Sequence, residues 1–202
     1  MATLVQIDEL LMRRHSHLEP TDVCFKIMDY KGWRKFGPNP VNRLIMDFKI
    51  DVNSSSNRIE VKKRAINSIA EILNDAFPTI KNELFFIPVP PSKKKTDPLY
   101  DDRMIKVLMK FCELRTNANL CEAISCKESM PASHLSPVRP SMNEIFKNLQ
   151  INNSIDLNNK NVIIIDDVIR DGAHFKACQR IISAKFQTRS ICGVFLGSNV
   201  PS

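Results

Sequence analysis

Residues 161–174 read NVIIIDDVIRDGAH, and this stretch decides the fold. Val162, Ile163, Ile164 and Ile165 form a β-branched run without polar alternation, which predicts a strand buried on both faces. Asp166 and Asp167 end the run, and Gly172 opens a helical spacing of apolar residues at Phe175, Cys178, Ile181 and Ile182. Strand, acidic pair, tight loop and helix fit into about 25 residues, half of a βαβ unit. In an open parallel sheet, ligands bind beyond the carboxyl ends of the strands, where this loop is expected. Its backbone amides and the helix N-terminus together favour an anion.

Two other readings of the same residues are weighed against this one. A hydrophobic strand ending in two acids is also the Walker B pattern of nucleotide hydrolases, which requires a GxxxxGK[ST] loop that this chain lacks. Alternatively, the acids are solvated at a strand end and Asp171 caps the next helix.

VIIIDDVIRDGAH resembles the phosphoribosyl-pyrophosphate motif of type I phosphoribosyltransferases: four apolar residues, an acidic pair, two apolar residues, then a loop around Gly. The resemblance implies that Asp166 and Asp167 hold the ribose hydroxyls, directly or through Mg²⁺. It implies also that Arg170, Asp171, Gly172, Ala173 and His174 wrap the 5-phosphate. Family members usually carry Thr or Ser where this chain has Asp171 and His174, and often Thr or Asp at the position of Arg170. An Asp there repels a phosphate dianion, whereas the guanidinium of Arg170 suits one. In the family, pyrophosphate binds at the loop after the first core strand, here PSKKKTDP, so Ser92, Lys93, Lys94 and Lys95 are expected to hold it. A second, weaker pattern (Tyr30, Gly32, Asn42, Leu44, Ile45, Phe48, Lys49) is similar to the region before the core of ComF-like proteins, an orphan branch of these enzymes.

Outward from the motif, strand and helix patterns alternate. Strands are expected at 84–90, 120–125, 161–166 and 190–196, with helices between them. The sequence thus predicts an α/β fold with a parallel sheet of four or five strands flanked by helices, over residues 79–202. Residues 1–78 are expected to form an N-terminal cap. It contains an amphipathic helix over 3–14, either a hairpin or a strand and helix from 22–31 and 42–50, and a helix over 58–77. Asp97 and Pro98 suggest the start of the helix that runs to about 114. Ser141 and Glu144 form a capping box. Arg103 is expected to pair with neighbouring acids, and the 127–139 loop with His134 lies where family members carry a mobile flap.

At 202 residues, 43% hydrophobic and 25% charged, the chain has an ordinary globular composition. It lacks the ~18 apolar residues of a membrane span, and Asp8 and Glu9 interrupt any signal-peptide core. A cytoplasmic location is the default. Six cysteines make no CxxC pair, and His15, His17 and Cys24 match no standard zinc spacing. The net charge of +7 favours phosphate-bearing ligands or nucleic acid without choosing between them, and no motif indicates nucleic acid. Three functions stay open: Mg²⁺-dependent transfer of ribose 5-phosphate to a nitrogenous acceptor, a non-catalytic nucleotide-sensing module within a homo-oligomer or with a partner protein, or nucleic-acid association.

Overall fold

The computed structural model describes residues 2–30, 37, 39–130 and 140–199. The expected flap residue His134, and Gly32 of the ComF-like pattern, lie outside the described residues. The chain begins with strand β1 (Val5–Gln6) and helix α1 (Glu9–Met12), not with one helix over 3–14. Val5 and Gln6 pair with Lys26 and Phe25, and the Asp8 side chain accepts from the Leu11 amide at 2.9 Å, so the helix starts only at Glu9. Strand β2 (Cys24–Tyr30) follows. Of the two readings left open for 42–50, the helix holds, as α2 (Pro40–Phe48): the Asn39 side chain caps it, Pro40 fits its first turn, and Ile45 and Phe48 bury one face.

Next come helix α3 (Ser56–Ala76), strand β3 (Leu84–Pro88), helix α4 (Arg103–Glu113) and strand β4 (Ala118–Leu120). Helix α4 starts beyond Asp97, whose carboxylate accepts instead from the Leu99 amide at 2.8 Å and from the Ser129 hydroxyl. Strand β5 (Ile124–Cys126), helix α5 (Met142–Asn148), strand β6 (Leu149–Ile151), strand β7 (Asn161–Ile169), helix α6 (Ala173–Ser183) and strand β8 (Ser190–Asn199) complete the chain. The capping box at Ser141 and Glu144 is present.

The architecture is mixed α/β. Its sheet has six strands in the order β1-β2-β8-β7-β3-β4, all neighbours parallel except β1 and β2. The count exceeds the expected four or five because the N-terminal stretch read as a cap supplies β1 and β2 to this same sheet. The segment expected as one strand at 120–125 is divided. Leu120 ends β4 in the main sheet, and β5 turns away to pair antiparallel with β6 in a two-stranded sheet. Strand β7 is central, and none of Val162, Ile163, Ile164 and Ile165 is more than 4% exposed. The strand does not stop at the acids: Val168 and Ile169, both buried, extend its pairing with β8 to Ser198.

Side chains alternate across β7 and feed two apolar cores. Val162 and Ile164 join the core under α6, α5 and β6, where Phe175 and Phe195 meet edge to face at 5.9 Å. Ile163 and Ile165 join the core under α2, α3 and α4, where Phe86 packs against Phe77 at 5.4 Å and Phe111 at 5.1 Å. Each such fully buried Phe contributes about 1.5–3 kcal/mol through burial alone. No helix among the described residues is long and apolar enough to cross a membrane.

Candidate functional site

The topology itself marks a crevice. From β3 the chain crosses through α4 to β4 on one side, and from β7 it crosses through α6 to β8 on the other. With right-handed crossovers, α4 and α6 cover opposite faces, so the loops after β3 and β7 part from each other. The boundary between β3 and β7 is therefore the switch point of the sheet, where open α/β proteins bind ligands. Asp166 and Asp167 stand at this boundary, near the carboxyl end of β7.

The two acids have different surroundings. Strand alternation puts Asp166 on the face of α6 and Asp167 on the face of α2 and α4. Asp167 is buried, and its two oxygens accept from Lys49 Nζ at 2.8 Å and from the Arg103 guanidinium at 2.9 Å. Arg103 also reaches Asp101 at 2.7 Å, and Asp101 pairs with buried Lys62 at 2.8 Å. The Arg103 guanidinium lies 5.3 Å from the centre of the Phe48 ring. Burial pushes the Asp167 carboxyl upward, but Lys49 and Arg103 outweigh it and hold the group at about 2. Asp166 is half-buried, and one of its oxygens accepts from the Asp167 amide at 2.7 Å. Burial, with the Asp167 charge beside it, pushes the Asp166 carboxyl up to about 7.

The loop after β7 turns on Gly172, whose φ of +85° is the left-handed region that Gly adopts without strain. The Asp171 carboxylate accepts from the Ala173 amide at 3.0 Å, so the first turn of α6 already carries an anion of its own. His174 is half-buried, and burial pushes its imidazole below the ordinary value. Outside the loop runs an N-terminal segment. His15 Nδ1 bonds the Arg170 carbonyl, the His17 amide donates to the Asp171 carbonyl at 2.9 Å, and Leu18 covers Gly172.

On the β3 side, Ser92 lines a small, mostly apolar pocket with Pro90, Cys126, Asn148, His174 and Cys178. This pocket brings Ser92 and His174 together; Asp167 faces the other side of the sheet. Lys94 and Lys95 are turned to Glu128 and Glu122, while the Lys94 amide donates to the Ser129 hydroxyl at 3.2 Å. Arg170 is exposed, and Ala173 is buried in the first turn of α6. Arg103 pairs with Asp101, as its neighbourhood in the sequence suggested, and with Asp167, which nothing local indicated. Sequence reasoning passed over Lys62 and His15 as site residues, and met Lys49 only within the ComF-like pattern. Their partners are far away along the chain, and no spacing rule links them.

No family model matches the chain, and no curated protein matches it. Among solved structures, a hypoxanthine phosphoribosyltransferase from Staphylococcus aureus is similar over 68% of this chain and 73% of that chain, at 14% identity with a TM-score of 0.42.

Proposed function

We propose that this chain is a phosphoribosyltransferase-like protein that binds a ribose 5-phosphate compound, phosphoribosyl pyrophosphate or a relative, at the β3–β7 switch point. The observation that carries this reading is the acidic pair at the end of central β7, followed by a left-handed Gly turn into the N-terminus of α6. The resemblance of VIIIDDVIRDGAH to the phosphoribosyl-pyrophosphate motif agrees with it. In this reading Asp166 accepts from the ribose hydroxyls. The amides around Gly172 take the phosphate, with Arg170 beside them, and Ser92 with its neighbouring loop faces the second phosphate group.

The acid pair as arranged does not fit a divalent cation. Both Asp167 oxygens are bonded to cations, one Asp166 oxygen holds an amide, and no three His, Cys, Asp or Glu side chains among the described residues are grouped for a metal. Magnesium in this reading arrives on the phosphates of the ligand, as it commonly does. The same occupied oxygens favour binding without turnover over transfer, because Asp167 is committed to Lys49 and Arg103.

Calorimetry with ribose 5-phosphate and with phosphoribosyl pyrophosphate tests the reading. Asp171→Thr removes the resident carboxylate, whose interaction with a helix N-terminus is worth about 0.3–1 kcal/mol, so affinity should rise about two- to fivefold. Absence of binding by both compounds, in parent and variant alike, would end this reading. Pyrophosphate release with candidate bases present separates transfer from sensing.

A further inference from the structure

The N-terminal segment 15–18 touches the ligand loop at three successive residues. His15 is 1% exposed, with Nδ1 on the Arg170 carbonyl and Nε2 at 3.3 Å from the Ser198 hydroxyl of β8. A carbonyl only accepts, so Nδ1 carries the proton, Nε2 is the acceptor, and Ser198 donates to it. Burial pushes the imidazole below its ordinary value, which keeps this neutral tautomer in place. The His17 amide then holds the Asp171 carbonyl at 2.9 Å. The Leu18 side chain stands where a Cβ on Gly172 would meet it at 3.0 Å. Further along, Asp22 is 4% exposed and binds Lys176 of α6 at 2.9 Å and Gln179 at 3.0 Å, so the segment is fastened beyond the loop as well.

These contacts use the carbonyls of Arg170 and Asp171. The segment therefore engages carbonyls only and takes no amide of this turn away from an anion; the Ala173 amide meets the Asp171 carboxylate. We propose that His15 is a positioning residue for the ligand loop, and that residues 15–18 form a strap fixing the backbone of residues 170–173 in its anion-presenting shape. The inference rests on the ribose-phosphate reading for its purpose but not for its geometry. Preorganisation of this kind raises affinity by reducing what must be ordered on binding.

Two variants of similar polarity isolate the His15 bond. In His15→Asn the amide nitrogen replaces Nδ1 and keeps the donor to Arg170; in His15→Gln the amide sits near the Nε2 position and loses it. Amide hydrogen exchange of unliganded protein is the first readout. Exchange across residues 170–174 should quicken about two- to tenfold in His15→Gln, the worth of one net hydrogen bond, and stay near the parent in His15→Asn. Exchange in β7 before Asp166 should not change in either. Ribose 5-phosphate affinity should fall by a similar factor in His15→Gln alone. Equal loop exchange in the two variants overturns the proposal, as does quickening spread evenly over the sheet. If His15→Gln does not fold, Leu18→Ala at its half-buried position carries the test, with quickened exchange confined to the same loop expected and none refuting the strap. If neither the parent nor Asp171→Thr binds ribose 5-phosphate or phosphoribosyl pyrophosphate while the loop still responds, the functional reading fails and the strap stands.

Discussion

Replacing Asp166 by Asn should make this protein more stable above neutrality and leave it nearly unchanged in acid. Burial and the neighbouring Asp167 charge raise the Asp166 carboxyl to about 7 from an ordinary 3.8. The folded state therefore keeps this proton where the unfolded chain releases it, and stability falls as pH rises from about 3.8 to about 7. Full conversion of the difference, at about 1.36 kcal/mol per pH unit, bounds the cost at roughly 4 kcal/mol. Asp166 is only half-buried, and water at its outer oxygen reduces this to about 1–2 kcal/mol. Asn is isosteric, and its carbonyl can still accept from the Asp167 amide, so the 2.7 Å contact survives. Urea unfolding of parent and variant at pH 4 and pH 8 reads the effect directly. The variant should gain about 1–2 kcal/mol at pH 8 and little at pH 4, while ribose 5-phosphate binding is lost. Equal stabilities at pH 8, or the same gain at both values, would refute the account of a carboxylate kept at the crevice against its own electrostatics.

Two further outcomes follow from neighbouring geometry. Arg103→Met leaves Asp167 with Lys49 and Asp101 with Lys62, so the loss should be about 2–3 kcal/mol, below that of an orphaned buried charge; acid unfolding should begin at higher pH because Asp167 is no longer held so low. Urea melts across pH measure both, and unchanged stability would mean that the network contributes nothing net. Gly172→Ala meets a φ of +85° and a Leu18 methyl 3.0 Å from the new Cβ, and should cost about 1–2 kcal/mol for the backbone alone. Adding Leu18→Ala should recover only the steric part in thermal melts; complete recovery would mean that the dihedral is not strained.

The central strand was legible because Val162, Ile163, Ile164 and Ile165 have no polar face to offer water, and the helix after Gly172 because Phe175, Cys178 and Ile182 repeat at helical spacing. Residues 42–50 were ambiguous on apolar content alone. The deciding signals were Asn39 and Pro40, a cap and a first-turn residue, lying just before the segment. The short β1 was hidden because two residues carry no period, and only pairing with β2 makes them a strand. The place of β2 beside β8 was illegible for a different reason: pairing between distant segments leaves no trace in local pattern. The candidate site divided in the same way. Asp166, Asp167 and the Gly172 turn are contiguous and were read from the motif. Lys49, Lys62 and His15 reach the site only through tertiary contacts, and Lys94 and Lys95 found acidic partners in Glu128 and Glu122, on either side of β5.

The position of β2 has a consequence for how the molecule is made. Strand β2 meets the rest of the main sheet through β8, which is made long after it, and carries only the two-residue β1 on its other edge. Until β8 emerges, β2 has no partner on its sheet-facing edge, although Cys24 and Phe25 already carry apolar side chains. Folding during synthesis must therefore build β3, β4 and β7 first and leave the N-terminal segment waiting. The strap on the ligand loop then closes in the same late step, because His15 needs Ser198 of β8 as well as Arg170. A nascent chain halted before residue 190 would hold the acidic pair and the Gly turn but not the finished cradle. Such long-range closure is slow, and the waiting strand is an exposed pairing edge throughout it.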